Sequence, residues 1–174
     1  MGKMKDVFME TRERTMSIDD FDYQYQQWLA EKEKQLTDDY NKTNYLFVYG
    51  TLMTGYNNNY LLKNSKYIGD AKTMQSYLMT ANGIPFVIKK TQQSVIHGEL
   101  YRINSKESLK TIDWLEGHPD GYRREVIDIQ VDDKQEKAWI YFYPEFNLQW
   151  MTIIKSGNYK DYAQKLNKFN KRNK

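Results

Sequence analysis

The stretch Tyr45-Leu46-Phe47-Val48-Tyr49-Gly50-Thr51-Leu52 decides how this chain is read. The apolar run at its start has the length and composition of a buried strand. The strand stops at a Tyr-Gly-Thr-Leu turn, where a glycine lets backbone approach a ligand closely. Successive N–H groups in such a turn can converge on a carbonyl oxygen or a carboxylate. Far downstream stand Leu115-Glu116-Gly117-His118-Pro119 and Tyr122-Arg123-Arg124. A donor-rich turn and a carboxylate at a helix end are the two halves of an acyl-transfer site.

Working outward, strands are expected over 45–49, 67–73, 76–81, 85–88, 95–102, 123–131 and 136–143, rich in Tyr, Val and Ile. Asn82-Gly83 and Asp132-Asp133 are typical of the turns between them. A short helix is expected near 57–64. A clearer one runs from Lys106 to Leu115, with Ser105 as N-cap, Leu109, Ile112 and Leu115 on one face, Gly117 as its end and Pro119 against its continuation. Residues 158–171 read as an amphipathic helix. Trp114, Trp139 and Trp150 are expected in the core or at a rim. Short strands with few helices imply an α+β fold, a small mixed β-barrel or curled sheet with flanking helices.

Before this region lies an N-terminal helical extension, residues 1–44. Residues 1–16 lack periodicity. Ser17 offers an N-cap ahead of Ile18, Phe21, Tyr25, Trp28, Leu29 and Leu36 at mostly helical spacing, through about Tyr40, with Asn41 to Asn44 as linker. That helix serves either as a homodimer or partner contact through residues 17–40, or packs on the main domain. The main domain is expected over 45–162 and a basic tail over 163–174.

The 174 residues suffice for a real core. The absence of cysteine removes a thiol nucleophile, a disulfide framework and a cysteine metal site, and fits a reducing, cytoplasmic setting. No signal-peptide pattern follows Met1, and no apolar run approaches bilayer length, so no membrane partner is expected. Residues 1–44 carry 7 basic and 10 acidic groups, and residues 155–174 carry 7 basic and 1 acidic. The basic end reads as a solvated helix face; without a nucleic-acid motif, nucleic acid is not expected as a partner. His97 and His118 fit no metal-ligand spacing, so no metal is expected.

The order of motifs carries a resemblance. Tyr49-Gly50-Thr51-Leu52 is followed by a small-residue loop with Gly55, then Gly69-Asp70-Ala71, Ile84-Pro85-Phe86-Val87, His97-Gly98-Glu99-Leu100-Tyr101, Leu115-Glu116-Gly117 and Tyr122-Arg123-Arg124. Over residues 45 to 162 this resembles the γ-glutamylcyclotransferase-like superfamily, in its γ-glutamylamine cyclotransferase branch. Ser156-Gly157-Asn158-Tyr159 is similar to the Ser-Gly-Asp-Trp ending of that family. Thr51 stands where the glutathione-degrading branch usually has Ser.

The resemblance implies that a small-molecule γ-glutamyl substrate attacks its own γ-carbonyl with its α-amino group. 5-Oxoproline forms and an amine leaves, without a cofactor. It maps the catalytic glutamate onto Glu116, the substrate cradle onto Tyr49, Gly50, Thr51 and Leu52, and a pocket-lining tyrosine onto Tyr122. From the residues themselves, Glu116 stands at a helix C-terminus, where the dipole and partial burial raise a carboxyl pKa. Asp113, one turn earlier, is expected to support it. Arg123 or Arg124 would hold a substrate carboxylate or make surface ion pairs. Glu125 is expected at the surface, and His118 in a loop beside Glu116. Loops 53–59 and 89–94 would shape the leaving-amine side. The alternative is a non-catalytic binding or regulatory module on the same fold, acting through the N-terminal helix or the basic tail.

Overall fold

The computed structural model describes residues 18–89, 93–145 and 147–172, as backbone alone at 18, 19, 167 and 169–172. The expectations for residues 1–16, for the Ser17 cap and for the tip of loop 89–94 lie outside the described residues. Helix α1 (Ile18–Lys42) is one compact unit, and a second begins at Thr43. Within α1, Phe21, Tyr25 and Trp28 stack ring on ring at 6.1 and 6.0 Å, and Lys42 pairs with Asp39 at 3.0 Å. The helix takes in Asn41 and Lys42, which leaves only Thr43 and Asn44 of the expected linker.

The second unit is a five-stranded barrel with a sheet extension. Thr43 enters it by donating its hydroxyl to the Lys137 carbonyl at 2.8 Å and accepting the Trp139 indole N–H at 3.0 Å. Strand β1 (Tyr45–Val48) then runs antiparallel to β4 (Ser94–Arg102) and parallel to β6 (Lys134–Phe142). β6 forms a hairpin with β5 (Arg123–Val131), whose turn puts Asp132 at φ 49°. β2 (Lys66–Asn82) pairs with β4 on one side and, from Ala71 to Thr73, with β5 on the other. That second pairing closes the ring. Beyond the ring, β2 continues through the Gly83 turn into β3 (Ile84–Ile88) and also pairs with the two-residue β7 (Thr152–Ile153).

Residues 67–73 and 76–81, expected as two strands, are therefore one. The ladder with β4 slips between Lys72 and Ser76. At that bulge the Thr73 hydroxyl accepts the Ile96 N–H at 2.9 Å and donates to the Gln75 carbonyl at 2.6 Å. A side chain replaces the missing ladder bonds, so the strand bends without ending.

The core holds Leu46, Phe47, Met53, Met79, Ile96, Leu100, Ile129 and Ile140, all essentially inaccessible. Helix α2 (Lys106–Glu116) adds Leu109 and Ile112 from one face, each burial stabilising by about 1.5–3 kcal/mol. Ser105 caps the start of α2 by accepting the Ser108 N–H, and Gly117 ends it in the left-handed conformation. The short helix near 57–64 is a single 3₁₀ turn, Asn59–Leu62. Helix α3 (Tyr159–Arg172) is the helix expected over 158–171, and the basic residues from 163 onward continue along it. Of the three tryptophans expected in the core or at a rim, only Trp139 is buried. Trp114 and Trp150 are 82% and 80% exposed. Trp114 stands two residues past Ile112, on the opposite side of the helix. Among the described residues no helix is long and apolar enough to cross a membrane.

Candidate active site

Where β1 ends, the Met53 N–H bonds back to the Gly50 carbonyl at 3.0 Å and reverses the chain. A Cβ on Gly50 would lie 2.6 Å from the Pro85 ring, so glycine lets this turn close onto β3. The loop is then tied to itself. Asn58 donates its backbone N–H to the Thr51 carbonyl at 3.1 Å and its amide to the Thr51 hydroxyl at 2.9 Å. Asn59 donates to the Leu52 carbonyl at 2.8 Å. The loop carbonyls and the Thr51 hydroxyl are thus engaged. Among the described residues, the N–H groups of Thr51 and Leu52 donate no hydrogen bond.

The second half of the site comes from the end of α2. Gly117 at φ 65° turns the chain, and the Tyr122 N–H returns to the Glu116 carbonyl at 3.0 Å. Gly121 passes so close that a Cβ there would sit 2.7 Å from the same carbonyl. This tight return sets Glu116 and Tyr122 side by side. Together with Val48, Tyr49, Gly50, Thr51, Leu52, Asn58, Ile84, Pro85 and Leu115 they line one cavity of about 270 Å³. All six residues expected at the site, from two distant stretches of chain, thus border a single space.

Their side chains have different tasks. Burial, and then the negative charge of Asp113, push the Glu116 carboxyl up to about 7. Tyr49 is buried and donates its hydroxyl to the Tyr141 carbonyl at 2.6 Å, so its phenol braces the barrel. Tyr122 donates to the Pro85 carbonyl at 3.0 Å and stacks parallel to Phe86 with ring centroids 5.9 Å apart. Asp113 accepts the Tyr141 hydroxyl at 2.6 Å and pairs with Arg124 Nε at 3.0 Å. Arg124 is buried, with its guanidinium 4.5 Å from the centre of the Trp139 ring, and is neither a surface ion pair nor a lining residue of the cavity. Arg123 is exposed, and Glu125 pairs with Lys89. His118 is also held: its Nδ1 accepts the Arg124 N–H at 3.2 Å.

Glu99 lies outside the residues expected at the site. It is 2% exposed, and its carboxylate collects the Thr54 N–H at 2.7 Å, the Tyr101 hydroxyl at 3.0 Å and Lys160 Nζ at 3.0 Å. The Gly157 carbonyl accepts the His97 N–H at 2.9 Å, which sets the start of α3 against β4 and brings Lys160 within reach. Strand alternation puts Glu99 and Tyr101 on one face with exposed His97, and such a face reads as solvent-facing. Among the described residues, no group of three His, Asp or Glu side chains stands close enough to hold a metal ion.

Residues 46–161 match the family model described as gamma-glutamyl cyclotransferase, AIG2-like. A putative gamma-glutamylcyclotransferase of Methanocaldococcus jannaschii is 48% identical over 120 residues, covering 68% of this chain and 97% of that protein. Gamma-glutamylaminecyclotransferase B of Danio rerio is 29% identical over 120 residues, covering 61% of this chain and 62% of that one. The crystal structure of an AIG2-like protein from Mus musculus shares the fold, with a TM-score of 0.57 at 22% identity over 65% of this chain and 86% of its own.

Proposed function

This chain belongs to the AIG2-like γ-glutamyl cyclotransferase family, a family of enzymes, and from that premise we propose that it converts γ-glutamylamines into 5-oxoproline and the free amine, with Glu116 carrying the proton. The observation that carries this reading is the shared cavity. A carboxyl poised near neutral pH and two N–H groups without partners among the described residues border the same 270 Å³.

The steps follow from the chemistry. The substrate enters as an α-ammonium and must lose a proton before its nitrogen can attack. Glu116 takes that proton as its carboxylate. The freed amine closes on the γ-carbonyl carbon, and the carbonyl oxygen gathers negative charge. The Thr51 and Leu52 N–H groups receive that charge; one such donor typically contributes about 10²–10³-fold in rate. Attack leaves one proton too many on the ring nitrogen. The C–N bond to the leaving amine breaks as Glu116 returns the first proton to that amine and takes the surplus one from the ring. A neutral lactam and, after a second transfer, an ammonium result. One group with a pKa near 7 serves both directions, a role worth about 10²–10⁴-fold. No electron changes hands, so the reaction needs no redox cofactor. The cavity is small enough to hold a folded glutamyl unit in a near-attack geometry, with Ile84, Pro85, Leu115 and Tyr122 against its apolar parts.

The test is turnover of a panel of γ-glutamylamines, with 5-oxoproline and released amine both quantified. The wild-type chain produces the two in equal amounts, and Glu116→Gln produces neither while still folding and melting cooperatively. Lactam release by a folded Glu116→Gln protein at the wild-type rate would remove Glu116 from the mechanism.

A further inference from the structure

The motif His97-Gly98-Glu99-Leu100-Tyr101 has no task in the steps above. Glu99 and Tyr101 point to the outer side of the barrel wall, opposite to fully buried Ile96 and Leu100. The loop after β1 and the first turn of α3 cover them. Taking a carboxylate out of water costs several kcal/mol unless donors replace the lost hydration. Here the donors come from the active-site loop and from α3.

The hydrogen bonds have one consistent direction. Tyr101 has a single hydroxyl proton and gives it to Glu99, so its oxygen accepts from the Thr54 hydroxyl at 2.9 Å and from the Asn59 amide at 3.1 Å. The same Asn59 amide holds the Leu52 carbonyl. The loop therefore hangs from one negative charge through Thr54, Tyr101 and Asn59. Burial opposes that charge, but the Thr54 N–H and the Lys160 ammonium outweigh it and lower the Glu99 pKa. Lys160 is in turn held more firmly protonated: burial opposes its charge, and Glu99 more than offsets this.

We propose that Glu99, Tyr101 and Lys160 are positioning residues that fix the Leu52–Asn59 loop from behind, so that the Thr51 and Leu52 N–H groups stay aimed at the reacting carbonyl oxygen. This rests on the cyclotransferase reading above. Backbone donors stabilise a developing charge only when already oriented, and a misplacement of about 1 Å costs about 100-fold in rate. Burial and Asp113 set the Glu116 pKa, so loosening the loop leaves the titration of Glu116 where it is.

The experiment compares Glu99→Gln, Lys160→Met and Lys160→Arg in the full chain. Lys160 is part-exposed, so its variants fold even where Glu99→Gln does not. Each is assayed with the best γ-glutamylamine of the wild-type panel, and amide hydrogen exchange is followed by mass spectrometry. Glu99→Gln and Lys160→Met lower kcat by about 10- to 100-fold with KM and the acid limb of the pH profile unchanged, and Lys160→Arg recovers most of the loss. Peptides covering 50–59 exchange faster, while those from β5 and β6 do not. Wild-type kcat in folded Lys160→Met, or unaltered exchange across 50–59, would overturn the proposal. Absence of lactam from the wild-type chain itself would instead sink the cyclotransferase reading, and the exchange data alone would then decide whether Glu99 and Lys160 hold the loop.

Discussion

Asp113 pairs with Arg124 at 3.0 Å, one helical turn before Glu116. The pair has two effects. It neutralises a guanidinium that is almost wholly buried, and it keeps a negative charge beside the proposed proton carrier. Asp113→Asn removes both. A buried pair broken on one side typically costs about 3–5 kcal/mol, so the variant loses that much stability in denaturant titration. With the Asp113 charge gone, the Glu116 carboxylate is favoured. The acid limb of the rate profile then moves below the wild-type midpoint.

In the wild-type chain, kcat/KM rises with pH through a midpoint near 7, as the Glu116 carboxyl ionises and becomes a base. Initial rates between pH 5 and 9 measure it. The same shift governs stability with the opposite sense. Folding raises the Glu116 pKa from an ordinary 4.5 to about 7, so the folded state binds more protons in that window. Stability from this group is therefore greatest below 4.5 and falls as pH climbs through 7. Glu116→Gln abolishes the penalty. It raises the melting temperature at pH 8 by a few degrees, equivalent to about 1–3 kcal/mol, and leaves it unchanged near pH 4.

Gly50→Ala tests the closeness of the turn to β3. The added methyl would meet the Pro85 ring at 2.6 Å, and a proline ring cannot rotate away. Overpacking of this kind costs about 1–3 kcal/mol. Because the displaced segment carries Thr51 and Leu52, kcat falls by more than the stability loss alone explains. Thermal melts together with steady-state kinetics separate the two effects.

Much of the molecule was legible because its signals are local. Ser105, Gly117 and the Leu109–Ile112 face mark α2 without help from the rest of the chain, and α2 delivers Glu116. The Tyr49–Leu52 turn announces itself through an apolar run stopped by glycine. What escaped depends on partners distant in sequence. Residue 99 reads as a solvent-facing strand position until residues 54 and 160 come to lie over it. The single length of β2 depends on Thr73 meeting Ile96, and β7 exists only because Thr80 and Ala81 offer it an edge. Trp114 is a different case: its spacing from Leu109 and Ile112 already placed it off the apolar face, and hydrophobicity alone suggested otherwise.

One strand, β2, belongs both to the closed ring and to the flanking sheet with β3 and β7. Neither sheet can melt while the other stays whole, because each would lose its longest member. Ring closure needs the meeting of Ala71 with Val131 and β6 between β1 and β5, so during synthesis the nascent chain cannot complete its barrel until both β5 and β6 have emerged from the ribosome. The Tyr49–Leu52 turn is made early but gains its walls late.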